Sequence, residues 1–308
     1  MAFRSCLLFC TSLVAFVACN PKPQTNATEN EMEKSTFDWQ GHRGARGLRP
    51  ENTIPAFLLA LEYPDITTLE LDIAISKDSV VVVSHDPWMQ GSICTQPDGK
   101  PIPEEDEQRY ALFKMTYDEI KGYDCGSKGN SRFPDQQPMK VYKPALREVV
   151  NAVEDQVLAT GRSPVFYNIE IKSQPDWDGV FTPEPGAFAR MALTEVNQLG
   201  IHDRVCIQSF DIRALQAVRA LDPSVTLAYL IENMESVEKN LDSLGFTPQI
   251  YSPYFKLLSP EVVAGLHDKN IKVIPWTVND AADMKSMIDM GVDGIITDYP
   301  NRIPNNRK

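Results

Sequence analysis

Positive charge is scarce in this chain. Across 308 residues, 42 acidic side chains outnumber 30 basic ones, giving a net charge of −12 and a pI near 4.9. That balance argues against a general nucleic-acid binder, whose surface must attract a phosphate backbone. It leaves room for a small anion held by a few local cations and a metal. The apolar run at the N-terminus falls short of the ~20 residues that a membrane span needs. A glycine-rich phosphate loop is missing after the first strand-like run, which removes the main support for an open doubly wound sheet. Histidine is rare, with four residues, and cysteine is sparse, with six. Apolar side chains are present in ordinary amount, 43%, enough for the core of one large domain.

The N-terminal run reads as an address. Arg4 precedes an apolar stretch from Cys6 to Ala18, the pattern of a signal-peptide core. Phe16-Val17-Ala18-Cys19 resembles a bacterial lipobox, with Phe in place of the usual aliphatic residue. Residues 1–19 are therefore expected to be a signal peptide, with Cys19 lipidated and anchoring the protein to a membrane. Ordinary cleavage with release is the alternative. The polar, proline-containing stretch 20–36 reads as a flexible tether and 37–302 as one domain. The expected location is the periplasm or outer membrane, as a lipoprotein. Export implies an oxidising compartment. There Cys94 and Cys125, in one loop-rich segment, could pair, while Cys206, inside an apolar run, reads as a buried free thiol.

From residue 38 onward, strand-like runs alternate with helical stretches. Strands are expected at 38–42, 67–75, 80–84, 165–171, 204–208, 225–230, 249–254, 271–276 and 294–297. Helices fit 53–63, 144–159, 185–199, 212–221, 234–244, 260–269 and 281–290, with Asp211, Asn233, Ser259 and Asp280 as cap candidates and Pro144 at a first helical position. Alternation implies a parallel sheet, and closing it gives an α/β fold of the (β/α)8 TIM-barrel class. Nine strands are one too many for that barrel. Ser76-Lys77-Asp78-Ser79 is far too short for a crossover of about a dozen residues. The second and third runs should therefore form one hairpin filling one position. Segment 87–143 exceeds the usual 2–6 residue strand–helix loop. Thr116-Tyr117-Asp118-Glu119 fits a capping box within it. The segment is either a lid that selects substrate or a passive insertion.

Two of the four histidines end apolar runs beside carboxylates: His42 in Gly41-His42-Arg43-Gly44, and His85 before Asp86. Glu70 and Asp72, two apart, point to the same face of a strand, and Glu170 ends another. Three carboxylates without a cysteine describe a hard-cation site for Ca²⁺ or Mg²⁺. Structural pairing with Arg43 and Lys172 is the alternative, the more usual one for each carboxylate alone, but the set of three favours the metal. Those two cations suit phosphate contact, Arg43 by a two-donor fork and Lys172 as a point charge. Trp276, at a strand end, could wall an apolar pocket or pack in the core. His202 and His267 have ordinary turn neighbours and are set aside.

At these residues the chain resembles the glycerophosphodiester phosphodiesterase family. The matching pieces are His42-Arg43-Gly44, Pro50-Glu51-Asn52-Thr53, Glu70-Leu71-Asp72, His85-Asp86, Glu170-Ile171-Lys172, Gln208-Ser209-Phe210, Trp276-Thr277-Val278-Asn279 and the run from Asp293 to Pro300. They stand in the family's order. The resemblance implies a barrel and hydrolysis of a small-molecule glycerophosphodiester to glycerol 3-phosphate and an alcohol. It makes His42 and His85 the acid–base pair, Glu70, Asp72 and Glu170 the ligands of a divalent metal, and Arg43 and Lys172 the phosphate contacts. Barrel phosphodiesterases acting on lysophospholipids or phosphoinositides, and a non-catalytic phosphodiester-binding lipoprotein, are the alternatives.

Overall fold

Strands rich in Val, Ile and Leu on both faces need cover on both, and rolling them into a cylinder inside a ring of helices supplies it. A computed structural model describes residues 1–2 and 37–304. Cys19 and the expected tether lie outside the described residues. The strands are β1 (Asp38–Gly41), β2 (Ile66–Ile75), β3 (Val81–Val83), β4 (Phe166–Ile171), β5 (Val205–Ser209), β6 (Thr226–Ile231), β7 (Ile250–Pro253), β8 (Lys272–Val273) and β9 (Gly294–Thr297). The helices are α1 (Ile54–Leu61), α2 (Tyr117–Ile120), α3 (Leu146–Thr160), α4 (Pro185–Gln198), α5 (Ile212–Leu221), α6 (Val237–Leu244), α7 (Pro260–His267) and α8 (Ala281–Met290).

Eight strands pair in parallel in the order β9-β1-β2-β4-β5-β6-β7-β8. The seam between β8 and β9 is bridged just past β8, where Ile296 N donates to Pro275 O (3.0 Å) and Val278 N to Ile296 O (3.0 Å). The result is a nearly closed eight-stranded TIM barrel. β3 stands outside the circuit, antiparallel to β2 from Ile73↔Val83 to Ile75↔Val81. The hairpin read from the short Ser76–Ser79 turn is present, with Ser79 in the left-handed region (φ 67).

The two faces of each strand do different work. Leu69, Leu71 and Ile73 on β2 are fully buried in the layer shared with the helices, together with Phe57, Val149, Val153, Ile169 and Ile171. The alternate residues turn inward. Register sets Glu70 beside Asn168, Asp72 beside Glu170, and Glu170 beside Gln208. Period-two alternation on neighbouring parallel strands thus stacks polar side chains in the upper barrel.

Several boundaries differ from the sequence reading. α6 starts at Val237, capped by Ser236, because Asn233 spends its side chain on Glu235 N and Asn240 instead. Asp211 and Ser259 cap as expected, but Asp280 makes no side-chain cap bond. α3 begins at Leu146, two residues after Pro144. β8 is assigned only two residues, although its bonds to β7 run on past it, Ile274 N donating to Tyr251 O (3.1 Å) and Trp276 N to Pro253 O (3.1 Å). Cys206 is a free thiol, half-buried rather than buried.

Segment 87–143 forms a satellite core. Met89, Ile93, Cys94, Ile102, Leu112, Ile120 and Cys125 pack with Ala74 and Val82 of the hairpin. Cys94 and Cys125 are disulfide-bonded. Thr116 and Glu119 form the capping box of α2. From this segment Gln136 donates to the carbonyls of Arg46 (2.7 Å) and Arg49 (3.1 Å), and Phe133 lies under the Arg46 guanidinium at 4.7 Å. The insertion therefore supports the barrel mouth directly.

Candidate active site

Parallel strands in a barrel deliver their C-terminal ends to one rim, where side chains at strand ends can converge. Here β1 delivers His42 and Arg43, β2 Glu70 and Asp72, and β4 Glu170 and Lys172, while the antiparallel β3 runs back along β2 and returns His85 to their level. A cavity of about 140 Å³ opens among His42, Arg43, Glu70, His85, Glu170 and Lys172, with Trp276 on its wall. Asp72 lies beneath, fully buried. The site residues singled out from sequence within the described range thus meet in one place. His202 and His267 do not join them; they pair with Asp222 and Asp293.

Glu70, Asp72 and Glu170 each offer an oxygen within 4.8 Å of the other two. Glu70 accepts from Arg43 N (2.8 Å) and Gln208 Nε2 (2.8 Å). Asp72 Oδ2 accepts from Asn52 Nδ2 (2.8 Å) and lies 3.2 Å from Arg43 Nε. Glu170 pairs with Lys172 Nζ at 2.9 Å. Such crowding forces their proton affinities apart. Burial, reinforced by Asp72, drives Glu70 well above the usual carboxylate range. Burial pushes Glu170 up to about 7, Lys172 opposing and Asp72 adding. Burial alone would raise Asp72 as well, but Arg43, His85 and Lys172 hold it well below the usual range.

Asp72 Oδ1 is buried and has no hydrogen-bond partner among the described residues. An unsatisfied anionic oxygen facing two carboxyl groups costs free energy that a cation would recover. The donor set is all oxygen, which suits a hard divalent ion such as Ca²⁺ or Mg²⁺. The residues present fit such an ion.

Each histidine is oriented by a carboxylate at Nδ1. His42 Nδ1 lies 2.7 Å from Asp298 Oδ1, and His85 Nδ1 lies 2.9 Å from Asp86 Oδ1. A carboxylate only accepts, so both rings carry their proton on Nδ1 and turn a lone-pair Nε2 inward. His85 Nε2 accepts from Lys172 Nζ at 3.1 Å, and His42 Nε2 lies 3.8 Å from Glu70 Oε2. Burial, helped by the Arg46 charge and offset by Asp298, lowers His42 to about 4. Burial with Arg43 and Lys172 also lowers His85. Both rings are neutral near pH 7 and ready to take a proton.

Arg43 sits in the left-handed region (φ 51), which turns its N–H onto Glu70 and its side chain across the trio. Its Nη1 donates to Glu51 Oε1 at 2.6 Å, while Nη2 has no partner among the described residues. Lys172 lies 5.8 Å from the Phe210 ring centroid. Trp276 donates Nε1 to Ser252 O (2.9 Å) and meets Phe210 edge-on at 5.4 Å.

Sequence reasoning did not assign Asp298, Arg46, Asn279, Glu51, Asn52 or Gln208. Asp298 is gripped by Arg46 Nε (2.7 Å) and Nη2 (3.0 Å) and by Asn279 Nδ2 (2.8 Å), so it is fixed when it meets His42. A signal existed, because Asp298 directly follows the last barrel strand, the position where such residues reach the rim.

The sequence profile of the glycerophosphoryl diester phosphodiesterase family matches residues 42–302. A glycerophosphodiester phosphodiesterase from Caldanaerobacter subterraneus subsp. tengcongensis is 30% identical over 264 residues, covering 86% of this chain and 95% of that protein. One from Bacillus altitudinis is 29% identical, covering 85% and 94%. A crystal structure of a proposed glycerophosphoryl diester phosphodiesterase from Silicibacter pomeroyi superposes with a TM-score of 0.76 at 31% identity, covering 87% and 92%.

Proposed function

Because this chain belongs to the glycerophosphoryl diester phosphodiesterase family, and is a phosphoric diester hydrolase, we propose that it splits glycerophosphodiesters by a metal-dependent, two-histidine mechanism. The products are glycerol 3-phosphate and an alcohol. The observation that carries the proposal is the meeting of two carboxylate-oriented imidazoles with three crowded carboxylates in one cavity.

Glu70, Asp72 and Glu170 would hold a Ca²⁺ or Mg²⁺ ion, which supplies positive charge to the phosphoryl oxygens as negative charge builds there. Arg43, with Nη2 free, and Lys172 add cationic contacts to the same oxygens. One histidine accepts the proton of the attacking hydroxyl at Nε2. The other histidine, which takes a proton from solvent at Nε2 before each turnover, donates it to the leaving alcohol oxygen as the phosphorus–oxygen bond breaks, and the first histidine then releases its proton to solvent. Asp298 and Asp86 keep the rings in the working tautomer and steady the imidazolium that forms. The attacking oxygen is water, or a neighbouring glycerol hydroxyl in a route through a cyclic diester.

His42→Ala and His85→Ala test this reading. Each should lower kcat on glycerophosphodiesters about 10²–10⁴-fold, with the thermal melt retained. Near-normal turnover in either variant overturns the assignment. The Phe16–Cys19 lipobox-like stretch supports a further part of the same proposal, export with a lipid anchor on Cys19.

A further inference from the structure

A second cavity, about 340 Å³, adjoins the first and shares His85, Glu170, Lys172, Phe210 and Trp276 with it. A phosphodiester whose phosphorus lies over the trio therefore has one ester arm free to extend across this common wall. The chemistry of the second cavity differs from that of the first. Trp177, Phe210 and Trp276 present three aromatic rings to it. Phe210 leaves 39% of its surface exposed beside this cavity. Phe210 and Trp276 stand nearly perpendicular (89°), and Trp177 is braced edge-on by Trp88 at 5.4 Å. Glu232, the first residue after β6, completes the wall. Its carboxylate is exposed and makes no ion pair or hydrogen bond among the described residues. The ammonium of Lys172, the cation of this cavity, is already matched by Glu170 at 2.9 Å.

We infer that this aromatic, acid-edged cavity binds the leaving alcohol, and that it selects alcohols bearing an ammonium group, the quaternary choline type above all. The inference rests on the phosphodiesterase reading above and deepens it. Ring faces attract a cation through their quadrupole, and a quaternary ammonium, which has no N–H to satisfy, suits walls made of rings. Glu232 supplies the counter-charge. A neutral glycerol headgroup gains neither contact, and an added carboxylate on the headgroup meets Glu232 with like charge. Trp177, Phe210 and Glu232 are thereby specificity-determining residues, outside the machinery that breaks the bond.

The test is a comparison of kcat/KM for the full chain, with Ca²⁺ or Mg²⁺ present, on the choline, ethanolamine, serine and glycerol diesters of glycerol 3-phosphate. The choline diester should rank first and the glycerol and serine diesters last. In Glu232→Gln and in Trp177→Ala the ratio of choline to glycerol diester should fall about tenfold, the change carried by KM. Trp177→Phe, which keeps a ring against Trp88, should retain most of the preference. A flat ranking, or variants that slow all four diesters equally, overturns the headgroup assignment and leaves the phosphodiesterase reading standing. Failure to turn over any of the four overturns both.

Discussion

Asp72 is the residue on which the rim is organised. It takes the guanidinium of Arg43 and the amide of Asn52 on one oxygen and leaves the other unpartnered among the described residues. Glu170, its neighbour across the β2–β4 pairing, holds a proton up to about pH 7 because burial and Asp72 both oppose its charge. A folded-state value above the ordinary 4.5 adds stability at low pH, and that contribution is lost as pH rises through about 7. A cation must displace the same proton and the one that burial and Asp72 favour on Glu70, so binding weakens as pH drops. Titration calorimetry with Ca²⁺ or Mg²⁺ should show affinity falling as pH drops from 8 to 6, by about tenfold or more per unit below about 7. A pH-independent affinity would show that Glu170 carries no such proton. These carboxylates were legible because i and i+2 share a face of a strand. The His42–Asp298 pair was not assigned, since 256 residues separate its members and only barrel closure unites them.

At the scale of elements, the short turn after β2 and the apolar run after it were enough to read a hairpin, and Thr116 with Glu119 was enough to read the start of α2. Both rest on local chemistry. The start of α6 was misplaced because Asn233 and Ser236 are both good caps, and the contact of Asn233 with Asn240 decides between them. The organisation of the insertion was hidden for another reason: its core borrows Ala74 and Val82 from the hairpin, a partnership that no period announces. The disulfide closes a loop of 31 residues within it. Cross-linking a loop of that size stabilises by about 2–4 kcal/mol through the unfolded chain. The double variant Cys94→Ser/Cys125→Ser should lose stability in that range in urea unfolding of the full chain. Limited proteolysis should cut it first between residues 87 and 143. Unchanged stability would mean that the insertion's apolar cluster suffices without the bond.

For the whole molecule, alternating strands and helices made a parallel sheet legible before any contact was known, and the barrel was preferred to an open doubly wound sheet because no glycine-rich phosphate loop follows the first strand. The closure of that barrel explains why one rim holds the chemistry. Eight strand ends meet there, and inward residues of β2 and β4 fall level with His42 and His85. The long-range hydrogen bonds that lock the rim, from Asp298 to Arg46 and from Gln208 to Glu70, follow from that closure rather than from any local pattern. The central claim is that the rim works only with a divalent cation among Glu70, Asp72 and Glu170. The most direct measurement is the rate of glycerophosphodiester hydrolysis by the full chain in excess chelator, before and after Ca²⁺ or Mg²⁺ is restored. Activity should vanish in chelator and return with the metal, and the full rate in excess chelator would contradict the account.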